Sequence, residues 1–353
     1  MRSTKNTGEK GAAIKSGAVW GTTRLGALLV ILLSIKVIYF EDMQLWLALY
    51  FSVLAGHYVL SFYAVKSQIS SLLSTWAGFI AILGTVLITI AVFVEAQGVI
   101  MFSFALHFGL SEAYSKRVQD PTALPQKNRA GRWFIGMHIA LNALIFLTAF
   151  WHNFRFFGPR DNIVIEQKYY QDCLVLMVCA LIGYLIMFFG FHKSVFKEKL
   201  NTRSVFNYLV PEIVYIALIP FFRHYDINYA AGVFYHLVFW LFAPVLKQNF
   251  VFRSGTKAYA RTTILVTLAF FVFTPYLVDF YLEESKTNLR FILGYRIDWA
   301  DFLVLFGLFH IHLSVLFSEL NPEWVERLKL RLQESRPIFR SAPIVRSSKE
   351  IHN

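Results

Sequence analysis

Apolar residues run along this chain in blocks of roughly 20, the length a helix rising 1.5 Å per residue needs to cross the hydrocarbon core of a bilayer. The pattern places about ten of them, at 25–40, 43–65, 72–94, 97–114, 133–154, 171–192, 205–222, 228–246, 262–282 and 299–318. Between them come short polar, basic stretches with turn residues, such as "SKRVQDPTALPQKNRAGR" with Pro121 and Pro125. This predicts an all-α fold: a polytopic membrane helical bundle of about ten transmembrane helices. After the last block, "NPEWVERLKLRLQESR" predicts a short amphipathic helix. Asn321 can cap it, Pro322 suits its first turn, and Trp324, Leu328 and Leu332 recur every fourth position. Such a helix suits the membrane surface.

Composition sharpens this. Of 353 residues, 56% are hydrophobic and 16% charged, against about 25% charged in soluble domains. The net charge of +12 reports topology rather than nucleic-acid binding. With the N-terminus inside, about 26 Lys and Arg fall in inner segments and about 7 in outer ones. Both termini are therefore expected in the cytoplasm. The expected organisation is a basic tail over 1–24, an integral membrane domain over 25–318, and a second tail over 319–353 carrying the interfacial helix. The N-terminal tail leads into a full-length block, so it reads as retained, not as a cleaved signal peptide. Cys173 and Cys179 sit about 240° apart on one helix, which argues against a disulfide or a thiolate metal pair.

Candidate chemistry lies in the histidines. The second, fourth, eighth and tenth blocks run inward in this topology, and His57, His107, His236 and the pair His310/His312 fall at similar depth along them. Ionisable groups at such depth face the bundle interior and find partners. Neutral imidazoles from facing helices at one level suit iron, copper or zinc. His310 and His312 are about 200° apart on a helix, so one of them should face a common centre; the sequence does not choose. The plainer reading is hydrogen bonding alone: Ser61 lies four residues after His57, and Ser103 and Ser111 flank His107 at the same spacing. His138 is a reserve ligand, while His152, His192 and His224 fall at span ends, where water can satisfy them.

Glu212 follows Pro211 inside the seventh block and is a candidate for orienting a ligand histidine. Phe234, Tyr235 and Trp240 around His236, with Phe309 beside His310, are candidates to line a path for a long apolar substrate. HExxH, CxxC, GxSxG and phosphate-binding glycine loops are missing, as are the HxxxH and HxxHH sets of di-iron membrane desaturases, which disfavours zinc proteolysis, serine hydrolysis and phosphoryl transfer.

Four stretches carry a family resemblance. "LHFGLSE" (106–112), with His107, Gly109 and Glu112, is similar to the HFG-and-acid stretch of the bacterial membrane-bound β-carotene central-cleavage dioxygenases, also called bacteriorhodopsin-related proteins. "LAGHYVLS", "YAAGVFYHLVFW" and "FHIHLSVLF" resemble that family's other histidine stretches in order and spacing, although Trp240 stands where a further histidine is expected. The resemblance implies a non-haem Fe(II) centre in a bacterial inner membrane, using O₂ against a carotenoid, isoprenoid or other lipid. It adds Glu112 as a supporting acid. The competing expectation is a transporter or lipid-handling protein whose histidines relay protons or pack.

Overall fold

In the computed structural model, the residues described are 24–29, 32–33, 43–95, 97–119, 125, 128–150, 155–156, 163–164, 167–196, 199–224, 229–242, 261–262, 264–273, 290–291, 295–296, 299–317, 323–335 and 337–338. They are helical apart from turns and two short antiparallel pairs, Arg155–Phe156 with Ile163–Val164 and Arg290–Phe291 with Tyr295–Arg296. The helices are α1 (24–29), α2 (Met43–Leu73), α3 (Trp76–Glu95), α4 (Gln97–Gln119), α5 (Arg129–Phe150), α6 (Gln167–Leu185), α7 (His192–Phe196), α8 (Thr202–Tyr208), α9 (Val210–His224), α10 (Tyr229–Phe242), α11 (264–273), α12 (Trp299–Leu316) and α13 (Glu323–Gln333).

Local chemistry sets several boundaries. Asn128 caps α5 by accepting from the Gly131 amide at 2.8 Å, and donates to the Ser194 carbonyl at 2.8 Å, which ties the start of α5 to α7. Asn201 and Ser204 form a reciprocal capping box at the start of α8. The seventh block is not one helix: α8 ends in a turn at Leu209, and α9 begins one residue before Pro211, which has no N–H to give an interior turn. The sixth runs on from α6 through a π-helical turn, Ile186–Gly190. At 31 residues, α2 spans about 46 Å, more than a bilayer core, and its final turns carry the exposed Lys66, Ser67 and Gln68.

Among the described residues, Trp76–Phe93, Arg129–Ala149, Tyr170–Gly190 and Ser204–His224 are long and apolar enough to cross a membrane. Large apolar side chains face outward along them, with Ile80 and Ile88 each 62% exposed, a surface suited to lipid rather than water. Inside the bundle, α5 packs against α4, α6 and α9, α2 against α3 and α10, and α12 against α2, α3 and α4. Glycine permits the closest approach: a Cβ at Gly109 on α4 would run into the Ile139 backbone carbonyl on α5. An aromatic cluster of Phe134, Tyr184, Phe188, Phe196 and Tyr208 fills the space between α5, α6, α7 and α8.

The C-terminal helix α13 is present, while Asn321 and Pro322, its expected start, lie outside the described residues, as do residues 1–23 of the N-terminal tail. Thr75 Oγ1 donates to the Leu332 carbonyl at 2.7 Å and the Ile338 amide to the Ser74 carbonyl at 2.9 Å, fastening the end of α13 to the turn between α2 and α3. Trp324, Leu328 and Leu330 remain exposed on it.

Candidate metal centre

Four helices each bring one imidazole to the wall of one cavity: His57 from α2, His107 from α4, His236 from α10 and His310 from α12. Each ring lies against two of the others. Centroids are 5.4 Å apart for His57 and His236, 5.0 Å for His236 and His107, 5.4 Å for His107 and His310, and 4.9 Å for His310 and His57. All four are buried. The Nε2 atoms of His57 and His310 stand 3.2 Å apart. One nitrogen each from His57, His107 and His236 lie within 4.8 Å of one another.

These rings surround a cavity of about 30 Å³ whose remaining wall is mostly apolar, including Leu54, Phe104, Phe108, Phe146, Val233 and Ile311. That volume suits an ion and one or two water-sized molecules. Two nitrogens bound tetrahedrally at about 2.1 Å from one ion stand about 3.4 Å apart, so the His57–His310 spacing fits shared ligation with little movement. The same spacing also fits a direct imidazole hydrogen bond. The donor chemistry allows an ion: Nε2 of His107 is buried with no hydrogen-bond partner among the described residues, and a buried nitrogen in that state is costly.

His310, not His312, faces the centre. Thr89 Oγ1 donates to the Thr85 carbonyl at 2.7 Å and lies 2.7 Å from His312 Nδ1 on the other side of α12. A two-residue step on a helix separates the two rings in this way. Gly307, one turn before His310, leaves room for Tyr58, whose ring also lines the cavity. His138 lies elsewhere. So does His192, which the sequence places at a watery edge; it is buried, and its Nδ1 donates to the Phe188 carbonyl at 3.1 Å.

Glu112 and Glu212 contact no histidine of the centre in the bonds the structure shows. They meet at Arg24, a residue the sequence assigns to the basic tail and the structure buries completely. Arg24 Nε is 2.8 Å from Glu112 Oε2, and Nη1 donates to Glu212 Oε1 at 3.0 Å. Nη2 donates to Asn142 Oδ1 at 3.3 Å, and the guanidinium lies over the Tyr215 ring, 4.9 Å from its centroid. Tyr235 donates to Glu112 Oε1 at 3.3 Å and shares a hydroxyl contact with Tyr215. His138 Nδ1 lies 3.6 Å from Glu212 Oε1. Sequence reading missed Arg24 because a basic residue at the mouth of a span looks like a topology signal; two buried acids without an assigned cation were the available clue.

The aromatic candidates also fall elsewhere. Phe234 packs toward Tyr50, Tyr235 belongs to the Arg24 network, and Phe309 stacks on Phe62; none of the three lines the cavity. The Trp240 side chain lies outside the described residues. The period of α10 explains the shift: positions 234 and 235 turn about 200° and 100° from His236. Comparison with protein-family models, with curated proteins and with solved structures finds no match to this chain.

Proposed function

We propose that this chain is an intramembrane metalloprotein in which His57, His107, His236 and His310 hold one transition-metal ion, iron first among the candidates, for oxygenase chemistry on an apolar lipid or carotenoid. The observation that carries the reading is the convergence of four imidazoles from four helices on one small apolar cavity. Neutral imidazole nitrogens bind iron, copper or zinc without adding negative charge to a site surrounded by hydrocarbon. The preference for Fe(II) comes from the histidine stretches resembling the carotenoid dioxygenases. The proposed topology has about ten spans, with both termini in the cytoplasm of a bacterial inner membrane.

When bound, iron would supply one-electron chemistry and activation of O₂. The protein's own residues do the rest. Phe104, Phe108 and Phe146 exclude water from the cavity, and Tyr58 and Ile311 close its wall. An extended polyene needs more than the volume present, so such a substrate would reach the centre only by displacing these side chains. A second reading, a transporter, draws support from the buried Arg24, Glu112 and Glu212, since intramembrane ion networks commonly mark transport paths.

Metal analysis of purified full-length protein separates the two. The metalloprotein reading predicts about one ion per chain, lost in each of His57→Ala, His107→Ala and His236→Ala while the helices remain. Folded wild-type protein that holds no metal after iron supplementation would contradict it. Expression in β-carotene-accumulating cells tests the narrower substrate assignment through bleaching and release of retinal.

A further inference from the structure

We infer that Arg24, acting through Glu112 and Tyr235, is a positioning device that sets the spacing of α4 and α10 and so of the histidine centre; the inference rests on the metal reading above. Glu112 follows His107 by five residues, about 140° around α4, and Tyr235 precedes His236 on α10, about 100° around that helix. The same two helices therefore meet twice. On one face the His107 and His236 rings lie 5.0 Å apart, and on another Tyr235 donates to Glu112 at 3.3 Å. Phe108 lies between the two contacts, 5.9 Å from the Tyr235 ring and 6.2 Å from that of His236.

Helices are stiff over one turn, so a change in the Glu112–Tyr235 contact becomes a change in imidazole separation. Arg24 holds the Glu112 carboxylate in place through Nε, while its other two nitrogens reach Glu212 on α9 and Asn142 on α5. One buried guanidinium thus references the ligand-bearing pair of helices to the main body of the bundle. The fork geometry of arginine is required for this, since lysine offers a single charged nitrogen to three helices. Supporting groups of this kind tune metal sites without touching the ion.

The test uses full-length protein in detergent with Co(II) as the probe, reading affinity and the visible ligand-field spectrum. Hydrogen exchange of the metal-free protein over residues 229–242 gives a readout independent of metal. Tyr235→Phe removes only the hydroxyl, Glu112→Gln keeps the shape and an acceptor, and Arg24→Lys keeps the charge. Thr75→Val is the control, because Thr75 gives up a similarly buried hydroxyl, which donates to the Leu332 carbonyl at the turn between α2 and α3. The first three are expected to weaken Co(II) binding about 10-fold or more, alter the spectrum and speed exchange across α10. Thr75→Val should leave all three readouts within about twofold of wild type, the scatter of unrelated sites. Wild-type affinity and spectrum in Arg24→Lys, or in both Tyr235→Phe and Glu112→Gln, would overturn the inference, as would equal losses in Thr75→Val. If wild type binds no Co(II), the metal reading falls and exchange decides the positioning role: unchanged exchange in both variants overturns it, and faster exchange upholds the helix link alone.

Discussion

At the scale of single residues, what a side chain meets depends on which way it turns and not only on which residue is present. His310 and His312 have the same composition signal and nearly the same depth, yet one meets His57 and the other Thr89. His312→Ala should therefore retain the metal content that His310→Ala loses, a difference elemental analysis of the two purified variants would register. The opposite assignment would place the ligand on the wrong side of α12. Arg24 is the residue whose environment departs furthest from its sequence context. Replacing it by methionine leaves two buried carboxylates without their shared guanidinium, and removing one member of a buried ion pair commonly costs about 3–5 kcal/mol. A thermal unfolding midpoint unchanged in Arg24→Met would show that the network carries no such weight. His57, His107 and His236 were legible in the sequence because depth along a span follows from hydropathy alone, while the choice between His310 and His312 was left open, since hydropathy does not say which way a ring turns. The Arg24 network was not, because contacts among α1, α4, α5 and α9 depend on packing that no local pattern encodes.

At the scale of elements, helix type follows from apolar length, and the described helices overlap the blocks. The limits depart from them where α2 runs on past residue 65 to Leu73, at the turn at Leu209 before Pro211, and at the π-helical turn that ends α6. Close helix contacts were less legible, since a glycine reads the same whether it faces lipid or a neighbour. Gly109 faces a neighbour. Gly109→Val would push α4 from α5 at the Ile139 carbonyl, with an expected loss of about 1–3 kcal/mol, measurable as a lower midpoint in detergent. The surface position of Gly136, where an added Cβ meets nothing, gives the matched control. At the other end of the chain, Thr75→Val removes the hydroxyl that holds the Leu332 carbonyl. Faster hydrogen exchange over residues 323–333 is the expected result, and unchanged exchange would show that α13 is held by other contacts.

At the scale of the whole molecule, an apolar exterior suited to lipid encloses a polar interior built from a few residues on separate helices. The proposed topology places Gln167, the first residue of α6, and Lys199, after α7, on opposite sides of the membrane. Single cysteines at these positions, in a background lacking Cys173 and Cys179, should react with an impermeant maleimide from opposite faces of oriented vesicles; labelling from one face would contradict the arrangement. The central claim is that four imidazoles on α2, α4, α10 and α12 share one ion. X-ray absorption of iron-loaded, full-length protein tests it most directly. The account predicts a nitrogen-rich coordination shell with about four imidazoles at roughly 2.1 Å, falling by one in His310→Ala and unchanged in His312→Ala. A shell without imidazole scattering, or iron that washes off the wild type, would contradict it.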